Sequence, residues 1–165
     1  MLTLPPIRWT PAAYAGAPKN ECVSFWYTSD YDTQREAVAR WEQAAAEATD
    51  RDAALRDRKV AQQRMDHASS VGDEDGVRRF QSDVDRAVNR YSGTEEASDE
   101  ASYHDIAGIL GTMLQSADVG GQRVPFPTDP GQRLKFLRSL PRTIVLELLL
   151  ALLRGEYDRD FRGKS

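Results

Sequence analysis

The residues able to perform nucleophilic or metal chemistry are few in this chain and stand far apart in its sequence. The chain holds one cysteine, Cys22, and two histidines, His67 and His104. A single thiol excludes a disulfide within the chain, and a structural zinc site needs about four cysteine or histidine ligands at close spacing. Cys22 lies in an apolar segment, which favours a buried, inert thiol over a nucleophile. A solvated or helix-capping role is expected for His104, so we predict no catalytic residue and no metal ligand.

Three short motifs suggest phosphate or calcium binding, but each lacks an essential part. Asp118–Arg123 spells DVGGQR, a hexapeptide of the switch region in G-protein α subunits, and the sequence ends in Gly163–Ser165, GKS. A phosphate-binding loop requires an earlier glycine at the position where this chain has Asp158. Asp73–Gly76 begins like a calcium loop, but its glycine comes too early in the motif. We therefore predict no cofactor.

The middle of the chain has the composition of a long helical hairpin. The segment Thr33–Ala68 contains no glycine or proline and is rich in alanine, arginine, glutamate and glutamine, which are strong helix formers. Ser69–Asp73 carries a turn signal, and apolar residues then recur at spacings of about three and four. Two helices joined by a short turn pack antiparallel. These patterns predict a hairpin over residues 30–92, with Asp32 or Thr33 capping its first helix.

The N-terminal segment is predicted to be an extended arm that leads into one strand. Prolines at positions 5, 6, 11 and 18 prevent a useful helix. Cys22–Tyr27 is rich in β-branched and aromatic residues and is the best strand of the chain. Since the backbone of a strand must find hydrogen-bond partners, we expect this strand to pair with Leu2–Leu4, with Arg123–Phe126 or with another chain.

The C-terminal part is predicted to contain three helices, near residues 99–117, 130–140 and 141–154. Asp129 is expected to cap the second of them, and Gly155 is expected to end the third. A loop or at most a short β-bridge is expected over Asp118–Asp129, which holds adjacent glycines and two prolines. The last helix is apolar nearly all round, so either this chain or a partner must enclose it.

These elements predict an all-α, mainly helical fold: a long antiparallel helical hairpin on a small helical base, with an extended arm and one short strand. At 165 residues the chain suits a single domain. Its parts would be an arm and strand over 1–29, the hairpin over 30–92 and a helical part over 93–165.

Charge and hydropathy narrow the class of partner. The net charge is −4 and the pI is about 5.3, and bases alternate with acids near the C-terminus, so nucleic acid is disfavoured. The longest apolar run, Thr143–Leu153, is interrupted by Glu147 and is too short to span a bilayer. The N-terminus carries no apolar signal region. We expect a cytoplasmic protein that binds another protein or a second copy of itself, with no membrane contact.

The order of the predicted elements carries a resemblance. An arm, the strand Val23–Tyr27, a helix opened by Asp32–Glu36, a helical middle and Arg133–Pro141 precede the leucine-rich helix. This order resembles that of the small helical tail-assembly proteins of tailed bacteriophages, whose chaperones coat the apolar helices of the tape-measure protein. The resemblance implies a non-enzymatic assembly factor in the host cytoplasm. The charged hairpin could not be matched to that family, so a related virion adaptor is kept as the alternative interpretation.

Protein binding is the function that these patterns favour. We predict an assembly factor, not an enzyme, that holds an apolar helical partner. The alternative is a structural adaptor subunit of a phage particle or another large assembly. The expected partner-binding residues come from the aromatic N-terminal part and the leucine-rich end: Trp9, Phe25, Trp26, Tyr27, Phe136, Leu137, Leu149 and Leu153.

Overall fold

Over the residues that the structure describes, 4–28 and 30–158, the chain folds into five α-helices and four strands. The structure is a computed structural model. Leu2, which was offered as part of a partner for the strand, and the motif Gly163–Ser165 lie outside the described residues. In chain order the elements are β1 (Ile7–Trp9), a 3₁₀ helix (Ala12–Tyr14), β2 (Val23–Tyr27), α1 (Tyr31–Ser70), α2 (Glu74–Arg90), α3 (Glu95–Met113), β3 (Leu114–Val119), β4 (Gln122–Pro125), α4 (Pro130–Arg138) and α5 (Arg142–Arg154).

The predicted all-α class is wrong, because the strands form one antiparallel sheet in the order β1-β2-β3-β4. The fold is α+β, with helix dominant. The strand predicted at Cys22–Tyr27 is present as β2, and it pairs within the chain on both sides. Its partners are β1 and β3. The segment Arg123–Phe126, one of the three alternatives offered as its partner, overlaps β4 and pairs with β3.

Of the three strands that the sequence analysis missed, β1 lies in the segment predicted as an extended arm. The other two, β3 and β4, form a hairpin that was predicted as the end of a helix and a loop. Gly120 and Gly121 have φ values of 59° and 85° and form the two-residue turn between β3 and β4. Such turns need positive φ at both positions, which glycine adopts without strain. Helix α3 therefore ends at Met113, and Leu114 and Ala117 join the sheet through their register with β2.

The chain divides into two compact units. We call the described residues of Met1–Glu42 and Tyr103–Ser165 the sheet unit, and Gln43–Ser102 the hairpin unit. The single domain inferred from chain length stays a prediction, and the unfolding experiments below test it.

The core of the sheet unit consists of large side chains. One face of the sheet contributes Trp9, Phe25 and Tyr27, which are at most 6% exposed. Helix α5 adds an inner face whose members are at most 5% exposed: Ile144, Val145, Leu148, Leu149 and Leu152. This chain therefore encloses most of the helix that had to be covered.

Helix α4 begins and helix α5 ends at the residues that the sequence marks, whereas α1 begins at a different cap. Asp129 caps α4 by accepting a hydrogen bond from the backbone N–H of Gln132 at 2.9 Å, with Pro130 at the first helical position. Gly155 ends α5 in the left-handed conformation, with φ of 68°. Asp30, rather than Asp32 or Thr33, caps α1.

The hairpin unit is built from helix segments with small residues between them. Asp73 caps α2 by accepting from the backbone N–H of Gly76 at 2.9 Å. Far from that turn, Arg90 pairs with Asp57 at 2.6 Å, which shows that α1 and α2 run antiparallel as predicted. The buried apolar side chains of these two helices in this unit include five alanines and two larger residues: Ala44, Ala54, Leu55, Ala61, Ala68, Val84 and Ala87.

Candidate functional site

Helix α5 has a second apolar face that points outward from the core. Leu146 and Leu150 are 39% and 41% exposed, and Leu153 is half-buried. Residues three and four apart lie on the same side of a helix, so these leucines form one row. We call Leu146, Leu150 and Leu153 the leucine ridge. A ridge of this spacing is the element that packs into the groove of another helix.

The helix that carries the leucine ridge is fixed at its C-terminal end and near its middle. The Gln34 side-chain amide donates to the backbone carbonyls of Leu152 and Leu153 at 3.3 and 3.2 Å, which satisfies acceptors that a helix end leaves open. Glu147 accepts a hydrogen bond from the backbone N–H of Ala12 at 3.0 Å. These hydrogen bonds therefore anchor the helix that presents the ridge.

Basic residues stand at both ends of the leucine ridge. Arg142 begins α5 and Arg154 ends it, and both side chains are exposed. Arg154 lies 3.9 Å from the Glu156 carboxylate, a long and exposed ion pair that contributes little. An apolar row flanked by cations is complementary to an amphipathic helix that carries acids beside its apolar face.

The structure places the eight predicted binding residues in two settings. Five lie in the interior of the sheet unit, at most 6% exposed: Trp9, Phe25, Tyr27, Leu137 and Leu149. The other three keep part of their surface: Trp26, Phe136 and Leu153. Leu153 belongs to the leucine ridge, Trp26 lies on the outer face of the sheet, and Phe136 makes an edge contact with Phe126 at a centroid distance of 5.6 Å. A binding role for the eight stays a prediction.

The sequence prediction missed Leu146 and Leu150, the most exposed members of the ridge. The motif Leu146–Leu150 fits the LxxLL pattern of docking helices, as does Leu149–Leu153. A helix that is apolar all round does not show which face turns inward, so the sequence could not separate ridge from core. The structure shows which face of α5 turns inward: Leu148 and Leu149 are buried, whereas Leu146 and Leu150 are exposed.

Trp26 is held in place by polar and cationic neighbours on the outer face of the sheet. Its indole Nε1 donates to Asp118 Oδ2 at 2.9 Å. The Arg123 guanidinium carbon lies 4.3 Å from the ring centroid, and that of Arg8 lies 6.0 Å from it. Arg123 also donates from Nε to Ser116 Oγ at 2.8 Å. The cation–π contacts and the indole hydrogen bond thus fix this ring within the fold.

Cys22 lies in a polar pocket of about 530 Å³ beside the first two strands. The thiol is half-buried rather than buried, which corrects the expectation from sequence. Its Sγ lies 3.8 Å from the carbonyl oxygen of Tyr14 and 3.7 Å from Ser24 Oγ. The segment Gly155–Asp158, which we call the C-terminal strap, contributes Tyr157 and Asp158 to the same pocket.

The N-terminus of α1 holds an acid with a perturbed pKa. The pKa of Asp30 lies below its ordinary value of 3.8, because the Thr33 hydroxyl and then the Thr33 backbone N–H donate to its carboxylate. The two donor–acceptor distances are 2.7 and 2.9 Å. This is the signature of a helix cap, and the carboxylate is therefore explained by its structural role.

The cysteine and both histidines lie within the residues that the structure describes, 4–28 and 30–158. There, no group of three or more His, Cys, Asp or Glu side chains is arranged to hold a metal ion. In the same part of the chain, no helix combines the length and the apolarity that a membrane span requires. Asp73, from the motif that resembles a calcium loop, is the cap of α2.

No protein-family model, no curated protein and no solved structure matches this chain. Its role is therefore inferred from the chemistry of its own surfaces.

Proposed function

We propose that this chain is a non-enzymatic, protein-binding assembly factor that holds an amphipathic helix of a partner protein on the leucine ridge. The observation that carries the proposal is the pair of opposed faces on α5. Leu148 and Leu149 are fully buried by the chain itself, whereas Leu146 and Leu150 remain about two-fifths exposed. The outward face is thus apolar without serving the core.

The size of the ridge indicates what the partner must supply. Burying a whole leucine side chain stabilises by about 1.5–3 kcal/mol, so leucines that are already more than half covered give roughly 1 kcal/mol each. Such a sum does not exceed the entropy that association costs. The partner must therefore add contacts at the rim, and the exposed Arg142 and Arg154 favour acidic residues beside its apolar face.

The finer form of the proposal is a tail-assembly chaperone of a bacteriophage, acting in the host cytoplasm. Support for it comes from the order of elements in the sequence, which resembles that family. Its occupant would be an apolar helix of the tape-measure type, and the leucine ridge has the spacing to pack along such a helix.

A designed peptide tests the general form of the proposal. The probe is a fluorescent helix of about 18 residues, or five turns, with leucines at spacings of three and four on one face and glutamates elsewhere. A scrambled peptide of the same composition, with leucines on all sides, is its control. We expect fluorescence anisotropy to give a Kd of about 10–100 μM for the first peptide, that is, roughly −5.5 to −7 kcal/mol, and at least tenfold weaker binding for the second.

Variants of the protein locate the binding. Leu146→Ser combined with Leu150→Ser should weaken binding of the first peptide about tenfold, a change of about 1.4 kcal/mol. Val71→Ser is the matched control, since Val71 is 64% exposed and lies in the hairpin unit. Equal binding of both peptides, or unchanged binding by the double variant, would contradict a docking role for the ridge.

A further inference from the structure

The C-terminal strap returns from the end of α5 to the edge of the sheet at β1. The Asp158 backbone N–H donates to the carbonyl of Arg8 at 2.8 Å. The Thr10 backbone N–H donates to Asp158 Oδ1 at 3.0 Å. The Tyr27 hydroxyl donates to the carbonyl of Glu156. These contacts hold the strap against residues that lie more than a hundred positions earlier in the sequence.

Asp158 copies one step of a parallel β-ladder. In such a ladder, a residue donates its N–H to one residue of the neighbouring strand and accepts from the N–H two residues further on. Asp158 does this toward Arg8 and Thr10, but its carboxylate accepts the second bond where a backbone carbonyl would otherwise stand. Among the residues that the structure describes, Asp158 thus occupies the edge of β1.

The same carboxylate is linked to the pocket that holds Cys22. Asp158 Oδ2 accepts from Arg8 Nε at 3.0 Å and from Thr10 Oγ1 at 2.7 Å. Thr10 Oγ1 lies 2.8 Å from Ser24 Oγ, which in turn neighbours Cys22 Sγ. Tyr157 and Asp158 form one wall of this pocket, so movement of the strap would change the access of solvent to the thiol.

The two edges of the sheet are protected by different means. Strand β4 is exposed along its length, and Pro125 removes one of its N–H donors permanently. Strand β1 is protected by contacts that can break and form again without any change in covalent structure. Edge strands need such protection against pairing with other chains, and a non-covalent guard can also be released.

We propose that the C-terminal strap is a latch, which Asp158 holds shut over the β1 edge and the Cys22 pocket and whose opening exposes both. In the closed state, Asp158 satisfies the outward carbonyl of Arg8 and the outward N–H of Thr10. In the open state, these two backbone groups are exposed and can bond an extended segment or water. The Cys22 pocket then lacks the wall that the strap provides. The latch is distinct from the leucine ridge and does not depend on the function proposed for it.

Cys22 reports on the latch directly, because the chain has no other cysteine. The experiment measures the rate of alkylation of Cys22 by iodoacetamide in the full chain, at equal thiolate fraction for every variant. Asp158→Ala should raise the rate about tenfold, which corresponds to about 1.4 kcal/mol in the opening equilibrium. Hydrogen exchange at the Thr10 amide should accelerate in parallel, since that amide loses its acceptor.

Glu156→Ala is the matched control within the strap, since among the described residues the Glu156 side chain makes only the long ion pair with Arg154. Its alkylation rate should equal that of the unaltered chain. If Asp158→Ala loses native circular dichroism, Asp158→Asn and Thr10→Val repeat the test with smaller changes and should give intermediate rates. Unchanged rates in the folded Asp158 variants, or equal acceleration by Glu156→Ala, would overturn the latch.

Discussion

The sheet unit and the hairpin unit bury different kinds of side chain. The interior of the sheet unit is made of rings and long aliphatic groups, such as Phe25, Tyr27 and Leu148. The interior of α1 and α2 in the hairpin unit is mostly alanine, with Leu55 and Val84 as its larger members. The stabilisation from burial grows with the apolar area removed from water. The sheet unit should therefore contribute more folding free energy per residue than the hairpin unit.

The hairpin unit compensates with hydrogen bonds from arginines. Arg51 donates from Nε to Ser98 Oγ at 3.1 Å and from Nη2 to Ser102 Oγ at 3.2 Å. Arg58 donates to the carbonyl of Gly93 at 3.0 Å. The sheet unit is therefore suited to present a fixed surface, the leucine ridge, whereas the hairpin unit relies on polar contacts that water can replace.

The largest expected effect tests the core of the sheet unit. Leu149→Ala should lower the free energy of unfolding by about 2–5 kcal/mol, because Leu149 is fully buried and its loss leaves a cavity. Leu150→Ala is the matched control, and it should cost about 1 kcal/mol, since Leu150 is 41% exposed and its loss leaves no enclosed cavity. Urea unfolding followed by circular dichroism measures both. Equal losses would break the distinction between the two faces of α5.

The next effect tests the polar contacts of the hairpin unit. Arg51→Ala should cost about 1–2 kcal/mol, because it leaves the hydroxyl of Ser98, only 4% exposed, without its donor. Arg56→Ala, at an exposed position of the same helix, should change stability by less than about 0.5 kcal/mol. Unfolding in urea distinguishes the two arginine variants. In the unaltered chain, one shared transition for the helical circular dichroism signal and for tryptophan fluorescence would support a single domain. If both arginine variants match the unaltered chain, these hydrogen bonds add nothing.

A pair of glycines in α3 sharpens the description of the sheet unit. A Cβ at Gly111 would lie 2.4 Å from Arg133 Nη1, so Gly111→Ala must displace a side chain that donates to the carbonyl of Pro127 at 2.7 Å. The nearest described side-chain atom to a Cβ at Gly108 would be Arg40 Nη2, at 3.3 Å. Both changes gain about 1 kcal/mol of helix propensity, but only Gly111→Ala loses about 1 kcal/mol of hydrogen bonding. Thermal unfolding should therefore show Gly108→Ala to be the more stable variant, and the reverse order would contradict the placement of Arg133.

The smallest effect depends on pH and comes from the cap of α1. The pKa of Asp30 is lower in the folded chain than its ordinary value of 3.8. The carboxylate thus stabilises the fold above pH 3.8, and this contribution disappears as the pH falls through the folded pKa. Asp30→Asn keeps a capping side chain without a titrating group. The difference in unfolding free energy between the unaltered chain and this variant should therefore change only below about pH 4. A difference that stays constant down to about pH 2 would contradict a stabilising contribution from the ionised Asp30 carboxylate.

The sequence was informative where local chemistry decides the structure. The strand Val23–Tyr27, the cap at Asp129 and the stop at Gly155 were all predicted, because β-branched composition, capping side chains and left-handed glycine act within a few residues. The predictions failed at Leu114–Val119, where the apolar spacing of α3 continues into the strand. There the pairing with β2 overrides the local pattern, and Gly120–Gly121 was the overlooked hairpin signal.

The candidate site was less predictable than the elements that carry it. Leu153 was selected from the leucine-rich end, but Leu149, selected with it, lies in the core. The faces of a helix that is apolar all round are assigned only by what packs against them. The contact of Asp158 with Arg8 joins opposite ends of the chain, and no local pattern in the sequence indicates it.

Hydrogen exchange with and without the leucine-faced peptide tests the central claim most directly, namely that the sheet unit presents the docking surface on α5. We predict added protection in the amides of residues 143–158, with no change in the amides of residues 43–102. Protection that appears in the hairpin unit instead, or in neither unit at saturating peptide, would contradict the proposed role of the leucine ridge.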